Sequence, residues 1–131
     1  MKAPDSTLWA GVCAGGYFAA AAVYIANAFV LATVRAEGLP LALLIAGLPV
    51  ICALMGALVL AQRPWAPRWA VVVAAGFSAV HLVGLAYLYL AASASVPAIV
   101  RSLQWQLGGS FLSLWLGVLL AAFRLARRTG P

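Results

Sequence analysis

The sequence predicts an all-α, polytopic membrane protein: four transmembrane helices in an up-down-up-down bundle, both termini cytoplasmic, as one domain over residues 1–131. Three observations predict it. The chain is 66% apolar and only 8% charged, with a mean hydropathy of +1.09. A soluble domain is about half apolar and about a quarter charged, so too few polar side chains exist here to cover a surface facing water. The charged residues, at positions 2, 5, 35, 37, 63, 68, 101, 124, 127 and 128, leave four uncharged apolar stretches between them. The basic ones fall unevenly on the two sides those stretches define.

The first stretch runs from about Leu8 to Val34. It far exceeds the roughly 7–15-residue apolar core of a secretory signal and is read as a retained helix. Arg35, Ala36, Glu37 and Gly38 link it to the second, Leu39 to Ala61, where Pro40 is acceptable in the first turn. Pro49 lies inside this second helix and takes the hydrogen-bond partner from the Ile45 carbonyl, predicting a kink there. The breaker-rich loop from Gln62 to Arg68, with Pro64 and Pro67, leads to the third stretch, Trp69 to Ala92. Ser93, Ser95 and Pro97 open the last connection, which ends near Arg101 and precedes the fourth stretch, Ser102 to Phe123. Each stretch reaches the roughly 20 residues, at ~1.5 Å each, needed to cross the hydrocarbon core. In lipid a helix satisfies its own backbone, and loops this short force antiparallel neighbours.

Lys2, Arg63, Arg68, Arg124, Arg127 and Arg128 share the side of the termini and the middle loop, while Arg35 and Arg101 lie opposite. Six against two puts both termini in the cytoplasm, and the expected location is a bacterial inner (cytoplasmic) membrane. The net charge of +6 is thus mainly a topology signal, and no nucleic-acid partner is expected. Arg63, Arg68, Arg124, Arg127 and Arg128 are the expected contacts to anionic lipid. Trp9, Trp65, Trp69 and Trp105 lie near the predicted boundaries, where amphipathic indoles settle.

Lipid supplies no hydrophobic force between helices, so small residues mark where backbones approach. Gly11 and Gly15, followed by Ala19, Ala22 and Ala26, form such a row on the first span. Gly109, Ser113, Gly117 and Ala121 form one on the fourth, and Ala70, Ala74 and Ser78, or Gly76, Val80 and Gly84, on the third. A 60-residue shift also sets Ala14, Gly16, Tyr17, Ala19 and Val23 on Ala74, Gly76, Phe77, Ala79 and Val83, the mark of a possible internal duplication.

No Asp, Glu, Lys or Arg lies mid-span, which argues against an ion-driven pump or antiporter. The ionisable exception is His81, halfway along span three and ~16 Å from its outer end. At ~14–19 Å on the same count, Ser110, Ser113, Tyr24 and Cys52 share its level, with Ser78 one turn away. A functional role for His81, as a ligand to a haem or chlorin, a proton relay or a handle for a polar headgroup, stands beside a structural one: a neutral imidazole bonded to Ser113 or Tyr24. Nearer the outer face, Asn27, Tyr87, Gln104 and Gln106 form a second polar group. Gln106, Ser110, Ser113 and Gly117 share one face of span four, either lining a cavity or bonding between helices.

Cys13 and Cys52 differ in depth by ~12 Å, beyond the ~7 Å Cα limit for a disulfide. CxxC motifs, His/Cys clusters and paired carboxylates are absent, so no metal site and no catalytic residue is predicted. An embedded enzyme using His81 as acid and base is the least supported reading. The leading one is a small non-catalytic membrane subunit, or an assembly or stabilising factor, whose partners are the lipid bilayer and other membrane subunits or itself. The alternative is a binding or transport protein that holds a quinone, lipid or small solute in a bundle cavity lined by His81 and the outer polar stripe.

Overall fold

A computed structural model describes residues 4–34, 39–90 and 97–129, with side chains for these except 4, 28, 30–34, 39–46, 88, 100, 103 and 104. Lys2, Arg35 and Glu37 of the charge count, and the Gln104 side chain, lie outside this description. Four helices make up the described chain: α1 (Pro4–Val34), α2 (Leu39–Leu60), α3 (Ala66–Leu90) and α4 (Ala98–Thr129). Three carry stretches long and apolar enough to cross a membrane: Asp5–Asn27 of α1, Ala66–Tyr87 of α3 and Trp105–Thr129 of α4. The apolar stretch described for α2, Gly47–Leu60, is shorter. The molecule is an all-helical bundle with the character of a membrane-embedded protein.

Each helix turns one stripe inward. On α1 it is Ala10, Cys13, Ala14, Tyr17, Ala20, Ala21 and Tyr24, a run of three- and four-residue steps that keeps one face of the helix. Its counterparts are Cys52, Met55 and Val59 on α2, Ala66, Ala70, Ala74 and Ser78 on α3, and Trp115, Val118, Ala122 and Leu125 on α4. α1 packs on α2 and α4, and α4 packs on α3, whereas α2 and α3 touch least of the neighbouring pairs. The start of α1, the α2–α3 turn and the end of α4 meet at one end, where Arg128 bonds Asp5 at 2.9 Å.

Most of the small-residue rows do not mark the contacts made within the chain. Gly11, Gly15, Ala19, Ala22 and Ala26 all lie on the exposed face of α1. On α4, Ser113 and Gly117 are exposed, Gly109 is half-buried and Ala121 is buried. A Cβ added to Gly11, Gly15, Gly109 or Gly117 would meet nothing within 4 Å. Of the two rows on α3, Ala70, Ala74 and Ser78 are buried, while Gly76, Val80 and Gly84 are exposed. The close approaches fall elsewhere: a Cβ on Gly16 would run into Val118, and one on Gly56 would lie 3.3 Å from the Ala14 carbonyl. A small-residue row shows where a backbone could come near, not where it does.

The α2–α3 turn has a readable cause. The Gln62 amide donates to the Val59 carbonyl at 3.1 Å and the Arg63 amide to that of Leu58 at 3.4 Å. This is the paired pattern of a Schellman cap, and it puts Gln62 in the left-handed region at φ 55°. Gly usually fills that place. The Ala66 amide then donates to the Arg63 carbonyl at 3.0 Å, and Pro67 falls in the first turn of α3, where a missing N–H costs nothing.

Candidate functional site: an aromatic centre around His81 and Tyr24

Six ring-bearing side chains from three helices meet in the bundle. Tyr17 and Tyr24 come from α1, two turns apart; Phe77 and His81 from α3 and Phe111 and Trp115 from α4, each pair one turn apart. Phe77 stacks on Trp115 at 4.4 Å with the planes 4° apart, and Tyr17 meets the same indole edge-on at 5.6 Å. Tyr24 is edge-on to Phe111 at 5.1 Å, and His81 lies 4.7 Å from Phe111. Such offset and edge-to-face pairs are the arrangements that ring quadrupoles favour.

Three polar groups thread this centre. The Tyr17 hydroxyl donates across the diagonal of the bundle to the Ala70 carbonyl at 2.5 Å. His81 Nδ1 lies 2.7 Å from the Phe77 carbonyl, one turn back on its own helix, and His81 Nε2 lies 3.4 Å from the Tyr24 hydroxyl. A carbonyl only accepts, so Nδ1 carries the proton; in a neutral ring Nε2 is then the acceptor and Tyr24 the donor. Both ring nitrogens have partners inside the chain. A haem, chlorin or headgroup at Nε2 would have to displace Tyr24. Among the described residues no group of three or more His, Cys, Asp or Glu could hold a metal ion.

The other predicted site residues separate from this centre. Ser110 and Ser113 are exposed, and their hydroxyls donate back to the Gln106 carbonyl at 2.7 Å and the Gly109 carbonyl at 2.8 Å. A helix always offers a serine this bond, so neither hydroxyl needs His81. Asn27, Gln106 and Tyr87 are exposed too, so the α4 polar stripe faces out of the bundle. Ser78 is buried, and among the described residues neither its hydroxyl nor the Trp115 indole N–H has a hydrogen-bond partner. Cys13 and Cys52 are buried free thiols.

Where α2 and α3 part, a cleft of about 500 Å³ reaches the centre. Leu48, Ile51, Val72, Val73 and Val80 form its apolar walls, with Tyr24, Phe77 and His81 at its inner end. Gly76 also lines it, and a Cβ there would meet nothing within 4 Å. All these residues lie mid-helix, so the cleft opens sideways.

Sequence reasoning picked out His81 and Tyr24 but not the rings around them. The signal was present, since Phe77/His81 and Phe111/Trp115 are spaced by four and Tyr17/Tyr24 by seven, which stacks each pair on one helix face. At the end shared by the termini, Arg124 lies 4.9 Å over the Trp9 ring and Arg127 lies 5.5 Å over Phe123. Arg63 and Arg128 line a second cavity there, while Arg68 is exposed. The chain matches no protein family, no curated protein and no solved structure. Fold and site therefore define its class alone: a small, membrane-embedded helical protein with an aromatic centre.

Proposed function

We propose that this is a four-span integral membrane protein with both termini cytoplasmic, in a bacterial inner membrane, acting as a non-catalytic subunit or stabilising factor of a larger membrane assembly. Support for the fourth span comes from α2 itself, whose 22 residues reach ~33 Å. Six basic residues on the side of the termini against two opposite support the orientation. The observation that carries the subunit reading is the outer face of α4. Gln106, Ser110, Ser113 and Gly117 are exposed along it, and Gly117 has open space around its Cα. Lipid gives an exposed glutamine amide no partner, whereas another transmembrane helix packed on this small, polar face would.

The test is association in native membranes. Gly117 is exposed and a Cβ there meets nothing within 4 Å, so Gly117→Leu should fold normally yet lose the partner that copurifies with the unaltered chain in mild detergent. A chain that is monomeric and partner-free, or a Gly117→Leu variant that keeps the same partner, overturns the subunit reading.

A second reading rests on the α2–α3 cleft: binding of an apolar molecule with a hydrogen-bonding oxygen, such as a quinone or lipid, beside Tyr24 and His81. A Cβ at Gly76 meets nothing within 4 Å, so Gly76→Leu extends into the cleft and should remove any such molecule that mass spectrometry finds in the purified protein. Unchanged content in both Gly76→Leu and His81→Ala excludes this site.

A further inference from the structure

The second cavity, about 550 Å³, lies where the start of α1, the α2–α3 turn and the end of α4 converge. Ala10, Val59 and Leu125, all buried, form its apolar base, and Arg63, Arg128 and Thr129 give it a polar, cationic rim. We propose that this cavity binds the phosphate group of one anionic lipid, Arg63 and Arg128 holding the phosphate and the apolar base taking the glycerol and first acyl carbons.

Charge and position favour this occupant. Among the described residues, this end holds Arg63, Arg68, Arg124, Arg127 and Arg128 against Asp5 alone. Helix dipoles contribute little, because two helices start here and two end, so their partial charges offset one another. The arginines therefore carry the attraction, and they divide by what they face. Arg124 and Arg127 lie over the rings of Trp9 and Phe123, whereas Arg63 and Arg128 line the cavity. A guanidinium fork matches phosphate oxygens in a way that a surface charge does not. An apolar base beneath a cationic rim suits an esterified phosphate with chains attached better than free phosphate.

Asp5 is the internal competitor. Its carboxylate accepts from Arg128 at 2.9 Å, with the two side chains 65% and 44% exposed. Exposed pairs of this kind are weak, so a phosphate can take Arg128 from Asp5. The site requires a membrane-embedded chain but no protein partner, so it stands or falls independently of the subunit reading.

The experiment is native mass spectrometry of the full chain in detergent, with dioleoylphosphatidylglycerol, dioleoylphosphatidylcholine or inorganic phosphate added in turn. One phosphatidylglycerol should be retained per chain in preference to phosphatidylcholine. Arg63→Gln should weaken this about fivefold, the effect of one near-surface arginine. It spares the turn, which uses only the Arg63 backbone. Asp5→Asn should strengthen retention by freeing Arg128. Arg127→Gln keeps the same net charge as Arg63→Gln but alters no cavity residue, and should change little. Equal losses in Arg63→Gln and Arg127→Gln, or no preference over phosphatidylcholine, overturn the site. Arg63-dependent binding of inorganic phosphate without the lipid overturns the lipid assignment.

Discussion

The Tyr24 hydroxyl lies 3.4 Å from His81 Nε2, while the other ring nitrogen is held 2.7 Å from the Phe77 carbonyl. Together the two contacts give both nitrogens of an imidazole a partner inside an apolar bundle, where an unbonded polar group is costly.

The first prediction concerns the proton. With Nδ1 facing a carbonyl, which only accepts, Nδ1 of His81 should carry a proton. Nitrogen-15 NMR of the labelled imidazole in micelles should show a protonated Nδ1. A bare Nδ1 would contradict the geometry.

The Tyr24–His81 contact is long for a hydrogen bond, so its coupling should be modest. A double-mutant cycle of Tyr24→Phe and His81→Ala, followed by unfolding in mixed micelles, should give about 0.6 kcal/mol, the average for such bonds between membrane helices. A coupling near zero would mean that the aromatic packing alone positions the ring.

Neighbouring glycines should respond in opposite ways. Gly16→Val forces a side chain into Val118, a stiff β-branched residue, and should destabilise the protein by about 1–3 kcal/mol. Gly15→Val meets open space and should stay within about 0.5 kcal/mol. Detergent unfolding of both variants checks the helix faces directly, because exchanging the faces of α1 would reverse the result.

The cap of α2 gives a stabilising prediction. Gln62 is held at φ 55°, where a side chain costs roughly 1–2 kcal/mol and glycine costs little. Allowing for the extra freedom of glycine in the unfolded chain, Gln62→Gly should stabilise the protein by about 0.5–1 kcal/mol. A lower melting temperature would show that the Gln62 side chain contributes more than its backbone strain costs.

By itself, the sequence determined the class and the helices. Where charges are excluded for some twenty residues, the backbone must satisfy itself, and that local constraint is legible in order along the chain. Breakers at Pro64 and Pro67 marked the α2–α3 turn, and helix periodicity was available to stack Phe77 under His81. Only the tertiary structure decided which face of each helix turned inward. In a soluble protein the hydrophobic stripe reveals that face; on α1 the inward and outward faces are both largely apolar, so the Gly11–Gly15 row stood out although the neighbouring Ala10 and Ala14 are the residues that pack. Packing of the large rings made the choice, turning Trp115 inward and Ser113 out. His81 was conspicuous in the sequence because it is ionisable, but the partner of its Nε2 is Tyr24, a residue 57 positions away that only the folded bundle brings within reach.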